Sequence, residues 1–291
     1  MDEVAVGSGG SVVPLSAATA VAAAAPPQAL PVFGELLLQC DDSTWSVRCE
    51  AFRDLRRFCC AEGAMDVLRH LEALLGRFLE HSNDAHHRVS QAALETLAAY
   101  IECFAEHFEG YLVRLTPKVF LKISDSKETA RDAAVAVLEA IRAAYDSDVL
   151  LPVLMKTLEN SNVKVRVGCI DFLHYLLQHC EHAVRPFFES PTQMKACVGR
   201  LTPLVVDRHA SLRKLSAKSL AALYTMHTQN FLGAMLSLSL ADQTNAKKAM
   251  SAHVADLDAE LAAYTRSGPR GGGAAVADRP PPISIQSAPR S

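Results

Sequence analysis

The sequence predicts an all-α solenoid of about six stacked helix pairs, and three observations carry the prediction. The first is a nine-residue signature that recurs five times, each copy just after a short polar loop. It consists of a small or branched apolar residue, a small or apolar pair beginning four positions on, and a final apolar residue. The copies are Val47…Ala51-Phe52…Leu55, Val89…Ala93-Leu94…Leu97, Ala130…Ala134-Val135…Leu138, Val165…Cys169-Ile170…Leu173 and Leu212…Ser216-Ala217…Leu220. The second is a short, mostly acidic side chain at constant offset. Asp42, Asp84, Asp125, Asn160 and Asp207 each stand six residues before Arg48, Ser90, Arg131, Arg166 and Arg213. The third is the near absence of strand signals, since no Asn-Gly or Asp-Gly turn links alternating apolar runs.

Successive signatures start 35 to 47 residues apart, the period of HEAT or armadillo helix pairs. The first pair is expected near 32–40 and 44–60, and the second near 64–82 and 86–106. In the former helix of that second pair, Leu68, Leu71, Leu75 and Leu79 keep the three-four spacing of an amphipathic helix. The third pair is expected at 109–123 and 127–145, and the fourth at 148–159 and 162–180. The fifth, at 192–206 and 210–227, follows an irregular connector containing Pro186 and Pro191. A hairpin at 231–240 and 245–266 then closes the array with the charged outer face of a terminal repeat. Thr44, Ser126, Ser161 and Ser211 are cap-type residues near the starts of the second helices.

The solenoid is therefore expected over 31–266, between a disordered leader (1–30) and a disordered Gly/Pro-rich tail (267–291). The leader has Asp2 and Glu3 where a secretion signal needs positive charge, and Gly9-Gly10, Pro14 and Pro26-Pro27 interrupt its apolar runs. It lacks the periodic large apolar residues that offset ordering entropy. The tail carries Gly271-Gly272-Gly273 and Pro280-Pro281-Pro282. No segment reads as a membrane span, which points to a cytoplasmic protein. The eight cysteines contain no Cys-x-x-Cys pair, and Cys49, Cys103, Cys169 and Cys180 lie in apolar helical patterns. They read as free thiols in a reducing compartment. With a net charge of −3, attraction to an acidic partner has to come from segregated side chains.

The Asp-to-Arg offset suggests a structural ladder of Asp42, Arg48, Asp125, Arg131, Asn160, Arg166, Asp207 and Arg213, in which a loop aspartate bonds the next repeat's arginine. A further set is left over: Trp45 in the first loop, His86, His87 and Arg88 in the second, Lys127 in the third, Lys164 in the fourth, Arg208 and Lys214 in the fifth. Corresponding loops of a solenoid line up along one edge. That edge is expected to carry an aromatic at one end and a basic stripe behind it, or to be merely solvated. Lys127 and Lys164 lie near helix N-termini, which disfavour cations by a few tenths of a kcal/mol each. Trp45 is a core plug or an exposed anchor. His174, His179, Cys180 and His182 lack a second ligand pair at finger-like spacing, so no metal site is expected. No phosphate-binding Gly loop or nucleophile elbow is present, and neither an enzyme nor a cofactor is expected.

The opening Trp45-x-x-Arg48 followed by Ala51-x-x-x-Leu55 resembles the first repeat of TOG domains, the six-repeat HEAT modules that bind tubulin. The likeness extends over about 34–262 and is nearest to the CLASP (cytoplasmic linker-associated protein) family. Ser161-Asn162-Val163-Lys164-Val165-Arg166, then Ser211-Leu212-Arg213-Lys214, and finally Thr228-Gln229-Asn230-Phe231-Leu232 carry it. The resemblance implies a microtubule-associated protein whose intra-pair loops face tubulin and regulate microtubule dynamics. By position it nominates Trp45, Arg88, Lys127, Lys164 and Arg208 for tubulin binding, with Lys214 beside them. It departs at His86-His87, where the family has a longer basic or apolar contact. It departs also at Ile283-Ser284-Ile285-Gln286, which is not the Ser-x-Ile-Pro signal read by end-binding proteins. Two other readings stand beside it. A generic HEAT adaptor binding through its concave face predicts an apolar or acidic groove on the concave helices and a buried Trp45. A nucleic-acid binder fits poorly with the net charge of −3 and the lack of interleaved aromatics.

Overall fold

Each copy of the signature starts a long helix, because its apolar residues fall on one face at helical spacing while the polar loop before it cannot propagate the pattern. The computed structural model describes residues 32–59 and 63–267, and helix is the only regular secondary structure among them. The first three pairs are α1 (Phe33–Gln39) with α2 (Trp45–Arg57), α3 (Ala64–Arg69) and α4 (Leu71–His81) with α5 (His87–Phe108), and α6 (Leu112–Ile123) with α7 (Glu128–Ala144). They are followed by α8 (Ser147–Thr157) with α9 (Val163–His179), and by α10 (Glu181–Phe188) and α11 (Pro191–Leu201) with α12 (Ala210–Met226). α13 (Thr228–Leu236), α14 (Leu240–Met250) and α15 (Leu257–Ser267) close the array. The expected leader (1–30) and nearly all of the expected tail lie outside the described residues.

Several expectations are corrected. The helix expected over 64–82 breaks at His70, whose φ and ψ of −113° and 12° leave the helical region. The break rotates the phase, so Val67, Leu74, Leu75 and Phe78 are buried while Leu68 is exposed. The connector around Pro186 is helical rather than irregular: Val184, Phe187 and Phe188 give α10 a buried face, and Pro191 opens α11 as its first residue. Pro191 lacks only an N–H that has no helical partner at that position. The last hairpin is three helices. Ser239 caps α14 by accepting the Asp242 N–H at 3.1 Å, and Asp256 at φ 59° separates α14 from α15.

The second helices do not form one unbroken row. α2, α5 and α7 pack in sequence, and so do α9, α12 and α14; α9 is joined to the first group chiefly through α6. Gly168 permits that crossing, because a Cβ there stands 3.2 Å from Phe120 Cδ1 and 3.3 Å from its Cβ. Val135, on α7, stays 47% exposed although it occupies a signature position. Buried side chains tie repeats together through carbonyls near helix ends. Tyr100 Oη donates to the Leu55 carbonyl at 2.7 Å, and Tyr145 Oη to that of Ala105 at 2.6 Å.

Candidate functional site

The five intra-pair loops share one construction, and it explains the six-residue offset. In each, the side-chain Oδ1 of Asp42, Asp84, Asp125, Asn160 or Asp207 accepts the backbone N–H two residues later, at 2.6–2.9 Å. That turn delivers the chain into the next helix, and it does the work expected of Ser126, Ser161 and Ser211. The helices instead start after Lys127, Asn162 and His209, and of these only Asn162 caps through its side chain. Arg48, Arg131 and Arg213 then clamp the loop: each Nη1 donates to the carbonyl of the loop aspartate at 2.8–3.0 Å and to that of the following residue at 2.9–3.2 Å.

Two of the ladder arginines, Arg48 and Arg166, bond across repeats, and each bonds the following repeat's aspartate, opposite to the expected direction. Arg48 makes a forked pair with Asp84, Nε to Oδ2 at 3.1 Å and Nη2 to Oδ1 at 3.0 Å. Arg166 Nη2 reaches Asp207 Oδ2 at 3.3 Å. Arg131 makes no such bond among the described residues, since the fourth loop offers the neutral Asn160 and α9 has moved onto α6. Burial raises the Asp84 carboxyl's pKa, but the bonds from Arg48, His81 and the His86 N–H outweigh it and hold it below the usual value.

The expected contact residues fall into two groups. Trp45 is the first residue of α2 and is 39% exposed. Its ring stacks on His86 with centroids 4.1 Å apart and planes 12° apart, and the Arg88 guanidinium lies 5.7 Å from the ring centroid. His87 continues the stack at 5.1 Å from His86. Its pKa is lowered by partial desolvation and by the cationic neighbours His86, Lys127 and Arg88, against the opposing pull of Asp125. The first two loops thus meet in an aromatic and basic cluster of Trp45, His86, His87 and Arg88, and Lys127 of the third loop is near enough to act on His87 electrostatically. Lys164 and Arg208 belong to the second group, whose loops are linked by Arg166 and Asp207. Both side chains are exposed, and Lys214 is exposed one turn further along α12. The His86 stack was hidden from sequence reasoning, since Trp45 and His86 are 41 positions apart. Their similar placement, three residues after Asp42 and two after Asp84, was the available signal.

One group of potential metal ligands occurs among the described residues: atoms of Asp41, Glu80 and His81 lie within 4.8 Å of one another. Arg77 already pairs with Asp41, and His81 bridges Asp41 and Asp84 at 3.2 and 2.9 Å. The cluster reads as part of the ion-pair network joining the first two repeats.

Comparison with known proteins agrees with this architecture. Residues 69–214, half of the chain, match the family described as EF3 N-terminal HEAT repeat, and residues 15–119 match the HEAT repeats of the stalled ribosome sensor GCN1-like family. CLIP-associated protein of Arabidopsis thaliana is 30% identical over 230 residues, which cover 77% of this chain and 16% of that protein. The chain belongs to the HEAT-repeat family and contains a CLASP-like TOG domain. Its fold is that of the TOG domain of C. elegans Zyg9, with a TM-score of 0.55 and 14% identity across 75% of this chain and 80% of that one. A second solved structure, described as "TOG-tubulin binding specificity promotes microtubule dynamics and mitotic spindle formation", aligns with a TM-score of 0.56 and 16% identity, over 75% of this chain and 81% of its own. The TOG domain thus spans a small part, 16%, of the length of its Arabidopsis relative.

Proposed function

We propose that this TOG domain binds tubulin along the loop edge and regulates microtubule dynamics, acting in the cytoplasm on the microtubule cytoskeleton as a binding module and not as an enzyme. The observation that carries the reading is Trp45, 39% exposed, held by its stack on His86 and flanked by Arg88. A large amphipathic ring, half wet and already fixed in orientation, loses little freedom on docking and suits an interface anchor. Arg88 beside it, and Lys127, Lys164 and Arg208 elsewhere on the loop edge, present exposed positive charge from segments whose loops are locked by Asx turns. An acidic protein surface matches this arrangement in sign, and the charges favour fast, salt-sensitive encounter. The adaptor reading predicts a buried tryptophan, and Trp45 is 39% exposed.

The test is co-elution of the full chain with free tubulin, and co-sedimentation with microtubules, across a salt series. Charge reversal at Lys127 and Lys164 is expected to weaken binding by about tenfold, at roughly 0.5–1 kcal/mol for each exposed pair lost. Binding that is unchanged by the double reversal and insensitive to salt refutes the proposal.

A further inference from the structure

Away from Trp45, α12 forms the floor of a trough with α14 and the link after it as one wall and α9 as part of the other. Two hollows make it up, and they meet at His253. The one at the loop edge has a volume of about 700 Å³ and is lined by Arg213, Lys214, Lys248 and His253 over Val205, Val206 and Ala217, with no carboxylate. The other, about 480 Å³, continues past Lys218 over Ala221 and Ala222 to His174, Gln178 and Thr225. Its single acid, Glu181, is already paired with Arg185.

Lys214 and Lys218 sit one turn apart on the same face of α12, and Lys248 approaches from α14. None of the three has an ion-pair partner among the described residues, whereas the neighbouring Lys247 is paired with Asp258 at 2.7 Å. His174 Nδ1 is buried without a hydrogen-bond partner, and its ring is held toward the neutral form by burial and by Lys218. In a chain of net charge −3, a trough whose charged side chains are Arg213, Lys214, Lys218 and Lys248 against one already paired glutamate is a local reversal of sign. From Lys214 to Thr225 the floor runs about 17 Å at 1.5 Å per residue, the reach of about five extended peptide residues at ~3.3 Å each. Small side chains at Ala217, Ala221 and Ala222 keep it open. No Phe, Tyr or Trp lines either hollow, and the His174 and His253 rings alone offer nucleobases little to stack on. The chain's own segment after Ser267 carries Arg270, Arg279 and Arg290 against Asp278 alone, so it has the wrong charge to be the occupant.

We infer that the trough over α12 binds an extended acidic peptide segment, its carboxylates paired with Arg213, Lys214, Lys218 and Lys248 and its backbone laid along the alanine floor. This is a second surface, separate from the Trp45 cluster, and it does not depend on tubulin being the partner.

The test is fluorescence anisotropy of the full chain with a labelled glutamate-rich peptide at low and at physiological salt, with an oligouridine of matching length in parallel. The wild-type chain is expected to bind the peptide more tightly than the oligonucleotide. Lys218→Glu with Lys248→Glu is expected to weaken peptide binding about tenfold or more, with an unchanged circular dichroism spectrum. If that pair fails to fold, Lys218→Gln with Lys248→Gln takes its place and is expected to lose severalfold. Lys127→Glu, beside the distant cluster, is expected to leave peptide binding intact even where it reduces tubulin binding, so the two readings fail separately. Absence of peptide binding at low salt, equal binding by the charge variants, or tighter binding of the oligonucleotide overturns the inference.

Discussion

Replacing Asp84 by asparagine tests how the first two repeats are joined. The carboxylate is 6% exposed and accepts bonds from Arg48 Nε and Nη2 at 3.1 and 3.0 Å, from His81 Nδ1 at 2.9 Å and from the His86 N–H at 2.7 Å. An asparagine keeps the turn, as Asn160 does in the fourth loop, but removes the charge that balances Arg48. Breaking one partner of a buried pair costs about 3–5 kcal/mol. Arg48 is 15% exposed and retains the carbonyls of Asp42 and Ser43, so the expected loss is smaller, about 2–3 kcal/mol. For a domain of this size that lowers Tm by roughly 5–10 °C. Because the folded carboxyl titrates below its ordinary 3.8, the stabilisation is present above pH 3.8 and is lost as pH falls through the lower folded value. Thermal unfolding followed by circular dichroism at neutral and acid pH measures both effects, and an Arg48→Met cycle isolates the pair. A Tm shift under about 2 °C at neutral pH, or a double-mutant cycle with no coupling, refutes the reasoning.

Trp45→Ala is expected to cost only about 0.5–1.5 kcal/mol of stability through the lost His86 stack, while tubulin binding in a co-elution assay falls far more. A stability loss comparable to that of a core residue contradicts the exposed-anchor assignment. Gly168→Val is expected to destabilise by about 1–3 kcal/mol in urea titrations, because its side chain meets Phe120 at the α6–α9 crossing. An unchanged midpoint means that the crossing is looser than described. Thiol labelling of the native protein at mildly alkaline pH is expected to modify exposed Cys103 before Cys40, Cys169 and Cys197. Burial pushes Cys40 and Cys197 up to about 12 and Cys169 upward as well. Peptide mapping that finds Cys169 among the first thiols modified overturns this ordering.

What the sequence determined by itself is local. The signature placed the second helices of five repeats to within a few residues, since apolar spacing and loop polarity are properties of short stretches. The aspartates were legible for the same reason, because an Asx turn is closed within three residues. Where local signals competed, the reading slipped. Pro186 suggested a connector, but Val184, Phe187 and Phe188 bury enough surface to hold a helix through it.

What only the tertiary structure decided is how repeats meet. The direction of the Arg48–Asp84 and Arg166–Asp207 bonds was set by how neighbouring pairs pack, and the absence of a third at Arg131 goes with the neutral Asn160 and the placement of α9 on α6 beside Gly168. The stack of Trp45 on His86 and the cationic trough over α12 likewise join residues distant along the chain. Periodicity states which face of a helix is buried. It does not state how far one helix slides or turns on the next, because that depends on side-chain volumes meeting across the interface.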